Sequence, residues 1–484
     1  MNANNLKTLG RARALDALRG LAILAMIFSG TIPFDNTLPS WMYHAQVPPP
    51  HFRFNPNLPG ITWVDLVFPC FLFALGAAIP FALTRRIERG QSQLKIIMEI
   101  CKRSFLLFSF AIITEHFRPL VINPDPGNYT WKLALFGYFL LFLMYVQLPK
   151  YIPKKIQHLV TFLGWTLGII FLSKLKYLQD TKHHGFSLYR SDIILLVLAN
   201  IVLSASLIWL FTRKNIGIRL CLLLPLFPLI YSFNNFGWNT QFLWNLPLMN
   251  GPMFLGIFDF DFLKYLFIAL PGTVVGDWLL AWLQQENDYI ANKWKRSQLW
   301  LSIIILFCLI FSIVSGLYSR NFTLMSIGII VFALLTYFLF KHPANSTEIL
   351  INRLYGWAIY SLIVGLCFEP YEGGIKKDSA TFSYYFVTTA IAIFLLIIFM
   401  IIIDLLKSHS YLSIFIDNGQ NPMLAYVSFG NFLWPIIALS PLKEPISQWT
   451  QGNPALGILK GLIYTLIIAL WTSLFTRLKL FWKT

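Results

Sequence analysis

Histidines and carboxylates beside apolar segments are the residues of this sequence best suited to chemistry. His44 and His51 lie in a polar loop between two apolar segments, and Asp65 is near the start of the second segment. A neutral imidazole can take a proton from an amine or hydroxyl near neutral pH, or accept an acyl group itself. A carboxylate such as Asp65 could orient that base or, alternatively, stabilise the start of a helix. An ordinary surface role for either histidine also stays open.

A second set of candidates is cationic. Asp16 and Arg19 are three residues apart, so on a helix they share one face and could form an ion pair. Arg19 and four further cations could instead bind a phosphorylated ligand. Cations at a membrane boundary also follow from topology alone, so both interpretations stand. The five candidate cations are Arg19, Arg85, Arg86, Lys102 and Arg103.

Two further polar clusters interrupt apolar sequence and are candidates for binding a substrate. Glu115 and His116 end the third apolar segment, and Glu372 and Lys377 lie in the stretch YEGGIKKD. Mixed acids and bases between long apolar segments could recognise a polar solute, although a charged loop is commonly just solvated. No pair of cysteines has the spacing of a zinc site, so we expect no metal.

The composition places these residues in a membrane protein. Of the 484 residues, 57% are hydrophobic and only 12% are charged, too few charges to cover a soluble protein of this size. The net charge of +17 could suggest nucleic acid as a partner, but the cations fall between apolar segments. Topology explains them better, and we expect no nucleic acid partner.

Fourteen segments are apolar enough to be membrane-spanning candidates. They predict an all-α, polytopic transmembrane bundle of about 12–14 spans that forms one domain over residues 1–484. Prolines interrupt the seventh and thirteenth segments, which could therefore be broken or re-entrant. The segments are 14–33, 61–83, 103–121, 131–148, 156–173, 191–211, 217–232, 263–284, 298–317, 322–340, 351–368, 382–404, 421–440 and 456–476.

The distribution of lysine and arginine predicts the orientation. Alternate loops carry most of these cations, so both termini are expected in the cytoplasm and the loop with His44 and His51 on the outer side. The outer loops, including 233–262, are rich in tryptophan, tyrosine, asparagine and glycine. Such loops suit carbohydrate, because aromatic faces stack on sugar rings, but composition alone favours an aromatic belt at the membrane surface, which needs no ligand.

Several motifs resemble one known family. RARALDALRGLAILAMIF, the pair His44-Ala45 and ITWVDLVFPCFLFALGAAI are similar to the opening of the heparan-alpha-glucosaminide N-acetyltransferase family and its bacterial relatives. GIKKDSATFSYYF and DNGQNPMLAYV are similar to two later stretches of that family. Between the His-Ala pair and the next helix this chain has the insertion VPPPHFRFNPNLP, and it has Gly30 where the family has an asparagine.

The resemblance implies a function. The family transfers the acetyl group of cytoplasmic acetyl-CoA to the amine of a terminal glucosamine across the membrane. The resemblance implies that His44 is the catalytic residue and that Asp65 supports it, with His51 of the insertion as a rival base. It further implies a protein of the bacterial inner membrane, with the His44 loop facing the periplasm. The expected partners are an amino-sugar or glycan acceptor, the lipid bilayer and a second copy of the chain in a homodimer.

A transporter of a sugar or glycan precursor is the alternative. In that case the membrane carboxylates Asp65 and Asp277, together with the YEGGIKKD loop, would bind a solute or a proton. No repeat symmetry supports this alternative.

Overall fold

The computed structural model describes residues 11–35, 37–178, 185–235, 260–285 and 293–483, and the described chain is almost entirely helical. The segment 233–262, which is predicted to lie on the outer side, is therefore largely outside the described residues. The first helices are α1 Arg13–Ser29, α2 Trp63–Glu88, α3 Gln93–His116, α4 Pro119–Ile122, α5 Asn128–Tyr145, α6 Lys154–Lys174, α7 Ile193–Thr212, α8 Ile216–Cys221 and α9 Leu223–Asn235. The later helices are α10 Leu266–Gln284, α11 Arg296–Ser319, α12 Phe322–Leu339, α13 Ser346–Phe368, α14 Phe382–Met400, α15 Ser413–Gln420, α16 Pro422–Ser428, α17 Trp434–Leu439, α18 Lys443–Thr450 and α19 Pro454–Arg477.

The prediction of an all-α polytopic bundle is confirmed. Each of the fourteen apolar segments overlaps a helix. Within the described residues, 10 helices are long and apolar enough to cross a membrane. The remaining predicted spans are too short, too weakly apolar or too charged; α1, for example, has 17 residues. The cytoplasmic placement of the termini stays a prediction.

The two proline-containing segments are broken, as their sequences indicate. The seventh forms α8 and α9, which are separated at Leu222. The thirteenth is divided into α16, a π-helical turn at Phe429–Leu433, and α17. Proline removes a backbone donor and clashes with the preceding turn, so interruptions are expected just before Pro225 and Pro435, whereas Pro228 lies within α9.

The chain divides into two compact units, of which the first comprises 1–29, 34–85 and 267–419. In this unit α13 packs against α14, α11 against α12, and α1 against α14. The backbones of α1 and α15 touch: a Cβ added to Gly20 would lie 1.8 Å from the carbonyl oxygen of Phe415, and one added to Gly419 would lie 1.8 Å from that of Asp16. Glycine is therefore required at both positions.

The second unit comprises 30–33, 86–266 and 420–484. Here α3 packs against α7 and α5 against α6. The strands β1 Val146–Gln147 and β2 Phe481–Trp482 form an antiparallel pair. Asn421 fixes the second strand, because its side-chain amide donates to the carbonyl of Leu480 at 2.9 Å and accepts from the N–H of Trp482 at 3.0 Å. The single-domain interpretation of the whole chain stays a prediction.

Candidate functional site

His44 and Asp65 form the candidate catalytic pair of the first unit. The Nδ1 atom of His44 lies 2.7 Å from Oδ1 of Asp65, a distance at which the imidazole donates to the carboxylate. Asp65 is buried, whereas 39% of the His44 side chain is exposed. In the tautomer whose Nδ1 proton is directed at Asp65, Nε2 carries the lone pair of the ring and can act as a base. Within the described chain this Nε2 makes no hydrogen bond.

Asp65 also stabilises the start of α2, the helix to which it belongs. Its Oδ2 accepts hydrogen bonds from the backbone N–H of Thr62 at 2.9 Å and from the Thr62 hydroxyl at 3.2 Å. Thr62 precedes α2 and Asp65 is its third residue, so the Asp65 carboxylate reaches back to the N–H before the helix, as in one half of a capping box. The same Oδ2 accepts from the N–H of Ala45 at 3.1 Å, next to the histidine. The two roles that the sequence leaves open for Asp65 are therefore compatible.

Lys377 and Gln46 complete the surroundings of His44. The Nζ atom of Lys377 lies 3.3 Å from Nδ1 of His44, although the two residues are 333 positions apart in sequence. The Gln46 amide donates to the carbonyl of Asp378 and accepts from the N–H of the same residue at 2.9 Å. Lys377 of a distant loop thus lies beside the candidate base, and Gln46 of the His44 loop bonds the residue that follows Lys377.

The other groups near His44 are weaker candidates for the base. Tyr43 is buried, and burial raises the pKa of its phenol, as does the nearby Asp35 to a lesser extent. Tyr43 therefore stays protonated at neutral pH. His51 is exposed and forms no hydrogen bond or ion pair within the described residues. Its rival role stays a prediction.

Glu372 is engaged by the start of α14. Its Oε1 accepts from the N–H of Phe382 at 2.7 Å and its Oε2 from the N–H of Ser383 at 2.9 Å. These are first-turn N–H groups, which have no partner within the helix. Both oxygens of Glu372 thus stabilise a helix end, and its predicted contact with substrate stays a prediction.

Glu115 and His116 lie in the second unit, in two different environments. His116 is fully buried: Nδ1 lies 2.8 Å from the carbonyl of Ile112, and Nε2 accepts from the N–H of Ser187 at 3.2 Å. Both ring nitrogens are therefore engaged by backbone, an arrangement typical of a structural histidine. Glu115 lies 2.7 Å from Arg118 in an ion pair.

Arg118 is the centre of a charged network that the sequence analysis did not identify. It also pairs with Asp192, whose Oδ2 accepts from the hydroxyl of Tyr426 at 2.6 Å. Burial alone would lower the pKa of Arg118, but Asp192, Tyr426 and Glu115 raise it above its ordinary value, so the guanidinium stays charged. Asp192 immediately precedes the apolar run of α7, which is the only sequence signal that could have indicated it.

The five candidate cations are distributed over both units and differ in their surroundings. In the first unit Arg19 donates to the carbonyl of Gly419 at 3.0 Å and lies 3.6 Å from Asp16, so the predicted ion pair is present. Arg85 belongs to the same unit. In the second unit Arg86 pairs with Glu99 at 3.3 Å. Lys102 and Arg103 are exposed on α3.

No metal site is evident in the parts of the chain that the structure describes, since no three His, Cys, Asp or Glu residues cluster there. Gln46 is the residue beside His44 that sequence reasoning missed. An amide has no acid–base chemistry of its own, and its partner Asp378 is 332 positions away. No local pattern could have revealed that contact.

Comparison with known proteins gives one family and two curated relatives. The family model described as a domain of unknown function (DUF5009) matches residues 11–279. The heparan-alpha-glucosaminide N-acetyltransferase of Mus musculus is 33% identical over 115 residues, which cover 24% of this chain and 14% of that protein. The protein of that name from Homo sapiens is 28% identical over 155 residues, or 30% of this chain and 20% of that protein. The matches thus span a fifth or less of the relatives' length.

Proposed function

Since the chain belongs to the family described as a domain of unknown function (DUF5009), and matches two N-acetyltransferases in part, we propose that it is a transmembrane acetyltransferase. Its donor is acetyl-CoA and its acceptor is the amine of a glucosamine-type amino sugar. The observation that carries the proposal is the His44–Asp65 pair, in which Nδ1 is bonded to a buried carboxylate and the half-buried ring keeps Nε2 as a base.

The chemistry follows from that pair. His44 takes a proton from the acceptor amine through Nε2 while the amine nitrogen attacks the thioester carbonyl. The new C–N bond forms, the C–S bond breaks, and the imidazolium returns the proton to the departing thiolate. Asp65 stabilises the imidazolium, because its carboxylate accepts the Nδ1 proton and is itself held by Thr62 and Ala45.

Lys377 is assigned to substrate binding in this scheme. Its Nζ lies 3.3 Å from Nδ1 of the imidazole, and we assign it to the thioester carbonyl oxygen, on which negative charge develops. A fixed cation at such a position stabilises the transition state more than the ground state. Glu115, His116 and Glu372 have protein partners of their own, and their contact with substrate stays a prediction that this scheme does not use.

The cations are proposed to hold the phosphates of the donor. Arg19 already faces a carboxylate and a backbone carbonyl, so its contribution is chiefly to fix α1 in the first unit. Lys102, exposed on α3 of the second unit, is better suited to an anionic ligand. Arg85, Arg86 and Arg103 stay candidates for the same role.

We also propose the location and sidedness that the sequence predicts. The protein lies in a bacterial inner membrane, with the His44 loop facing the periplasm and the donor supplied from the cytoplasm. The 10 apolar helices support an integral membrane protein, and the cation distribution supports the orientation.

A transporter is the second candidate, because one spanning segment contains an unusual polar position. Asn431 lies in the π-helical turn of the segment Pro422–Leu439, is 1% exposed, and its Nδ2 has no hydrogen-bond partner within the described chain. Discontinuous helices with polar groups at membrane depth are typical of transporter binding sites.

Thermal stability of the purified protein separates the two functions. A ligand that binds only the folded state stabilises it by mass action. The acetyltransferase proposal predicts that CoA and acetyl-CoA raise the melting temperature. A rise with free glucosamine but none with CoA would favour the transporter.

A further inference from the structure

Gln46 holds together the two loops that form the candidate catalytic site. Gln46 is only 3% exposed, whereas more than half of the inserted segment that follows it is exposed. The Nε2 atom donates to the carbonyl of Pro56 at 3.2 Å and to the carbonyl of Asp378, and Oε1 accepts from the N–H of Asp378. Both backbone groups of Asp378 are thus satisfied by one side chain.

These contacts place two reactive residues side by side. His44 is two positions before Gln46, and Lys377 is one position before Asp378. Fixing Gln46 to Asp378 therefore limits how far His44 and Lys377 can separate. A second contact between the same two loops, from the N–H of Gly60 to the carbonyl of Ile375 at 2.7 Å, lies at the far end of the insertion.

Gln46 also fastens the inserted segment 47–59. Its backbone carbonyl accepts from the N–H of Asn55 at 2.9 Å, while its side chain donates to the carbonyl of Pro56. The insertion consequently folds back on the turn that carries His44. The segment that distinguishes this chain from the family it resembles is therefore built into the support of the candidate base.

We propose that Gln46 is a positioning residue for the transfer reaction: its amide sets the placement of His44 relative to Lys377 by bonding both backbone groups of Asp378. This inference rests on the proposed acetyltransferase function. It assigns Gln46 no contact with substrate. Because a misplacement of about 1 Å can cost about 100-fold in rate, loss of the amide lowers kcat rather than donor binding.

The test compares Gln46→Leu and Gln46→Glu with wild type in the full-length detergent-purified protein. Leucine removes every amide bond, whereas glutamate keeps the size and one acceptor but directs a carboxylate at the carbonyls of Pro56 and Asp378. If the leucine variant does not fold, the near-isosteric glutamate variant carries the test. Gln157→Leu is the matched control, because Gln157 also donates to two loop carbonyls, at 2.8 and 3.4 Å, but lies in the second unit.

Two readouts are needed. The first is the kinetics of CoA release with acetyl-CoA and glucosamine, where both Gln46 variants are expected to lose about 10- to 100-fold in kcat and keep the KM for acetyl-CoA within about twofold. The second is limited trypsinolysis at Arg53, an exposed residue of the insertion, followed by mass spectrometry. Cleavage there should be at least about fivefold faster in both variants than in wild type and Gln157→Leu.

The outcomes are distinguishable. Faster cleavage with lower kcat and unchanged KM supports the proposal. Unchanged kcat, whatever the cleavage rate, overturns the positioning role, and a rise in KM without loss of kcat overturns it too. Should wild type show no transfer at all, the proposed function fails, and the cleavage rates alone decide whether Gln46 joins the loops.

Discussion

At the residue scale, Asp65 uses its two carboxylate oxygens for different purposes. Oδ1 bonds the imidazole of His44, and Oδ2 accepts three hydrogen bonds from Thr62 and Ala45. The donors around Oδ2 fix the orientation of the carboxylate, so Oδ1 faces the histidine without competition. The proposed catalytic duty and the structural duty therefore fall on different oxygens of one carboxylate.

Asp65→Asn should reduce turnover far more than stability. The amide cannot stabilise the imidazolium as a carboxylate does, and we expect kcat to fall by about 100- to 10,000-fold. The altered cap should cost about 0.5–2 kcal/mol of folding free energy. CoA release and the melting temperature measure the two effects. Asp35→Asn, a substitution of an exposed carboxylate in the loop that carries His44, should change neither by much.

At the scale of elements, the contact between α1 and α15 determines where Asp16 and Arg19 lie. Gly20 lies against the backbone of α15, and Gly419 lies against the backbone of α1. At both positions there is room for a hydrogen atom but not for a Cβ. Arg19 then reaches the carbonyl of Gly419 itself. The RALDALRG motif therefore serves packing as well as charge.

Gly419→Ala tests this close approach. The new methyl group would meet the backbone carbonyl of Asp16, which cannot move without displacing α1, so we expect a loss of about 1–3 kcal/mol in folding free energy. The melting temperature in detergent measures it. Gly356→Ala is the control: nothing lies within 4 Å of its added Cβ, and alanine in a helix interior should stabilise by about 0.5–1 kcal/mol. Equal melting temperatures for the two variants would contradict the contact.

The network around Arg118 gives a second prediction at this scale. Asp192 accepts from Arg118, from Tyr426 and, through Oδ1, from the N–H of Leu195 at 3.0 Å. Asp192→Asn removes the charge that neutralises Arg118, so it should destabilise the protein by about 1–3 kcal/mol. Asp125→Asn, in an exposed loop of the same unit, should leave the melting temperature unchanged. A similar melting temperature in both variants would mean that the network contributes little.

The elements were far more predictable than their contacts. The length of each apolar segment predicts a helix, and the prolines in the seventh and thirteenth segments predict that these two are broken. Helices that are apolar on all sides, such as α14, have no polar face, so their sequences do not predict which helices pack against them. The pairing of His44 with Asp65 could be proposed because the two are 21 positions apart and chemically complementary. The contact of Lys377 with His44 and that of Gln46 with Asp378 join residues more than 330 positions apart, so only the fold reveals them.

At the scale of the whole molecule, the proposed reaction requires that the His44 loop and the cation-rich loops lie on opposite sides of the membrane. Single cysteines in a background without the five native ones test this. Asn57→Cys, in the inserted loop, should react with a membrane-impermeant maleimide in intact cells. Lys214→Cys, in a cation-rich loop, should react only after permeabilisation. Labelling of both without permeabilisation would contradict the orientation.

The central claim is that His44 is the base of an acetyl transfer, and its most direct test is turnover of the His44→Ala protein. Purified wild type, His44→Ala and His51→Ala are given acetyl-CoA and glucosamine, and free CoA and the N-acetylated sugar are measured together. We predict transfer by wild type and His51→Ala, and a loss of about 100- to 10,000-fold in His44→Ala with its melting temperature maintained. Undiminished transfer by His44→Ala, or a loss confined to His51→Ala, would contradict the assignment.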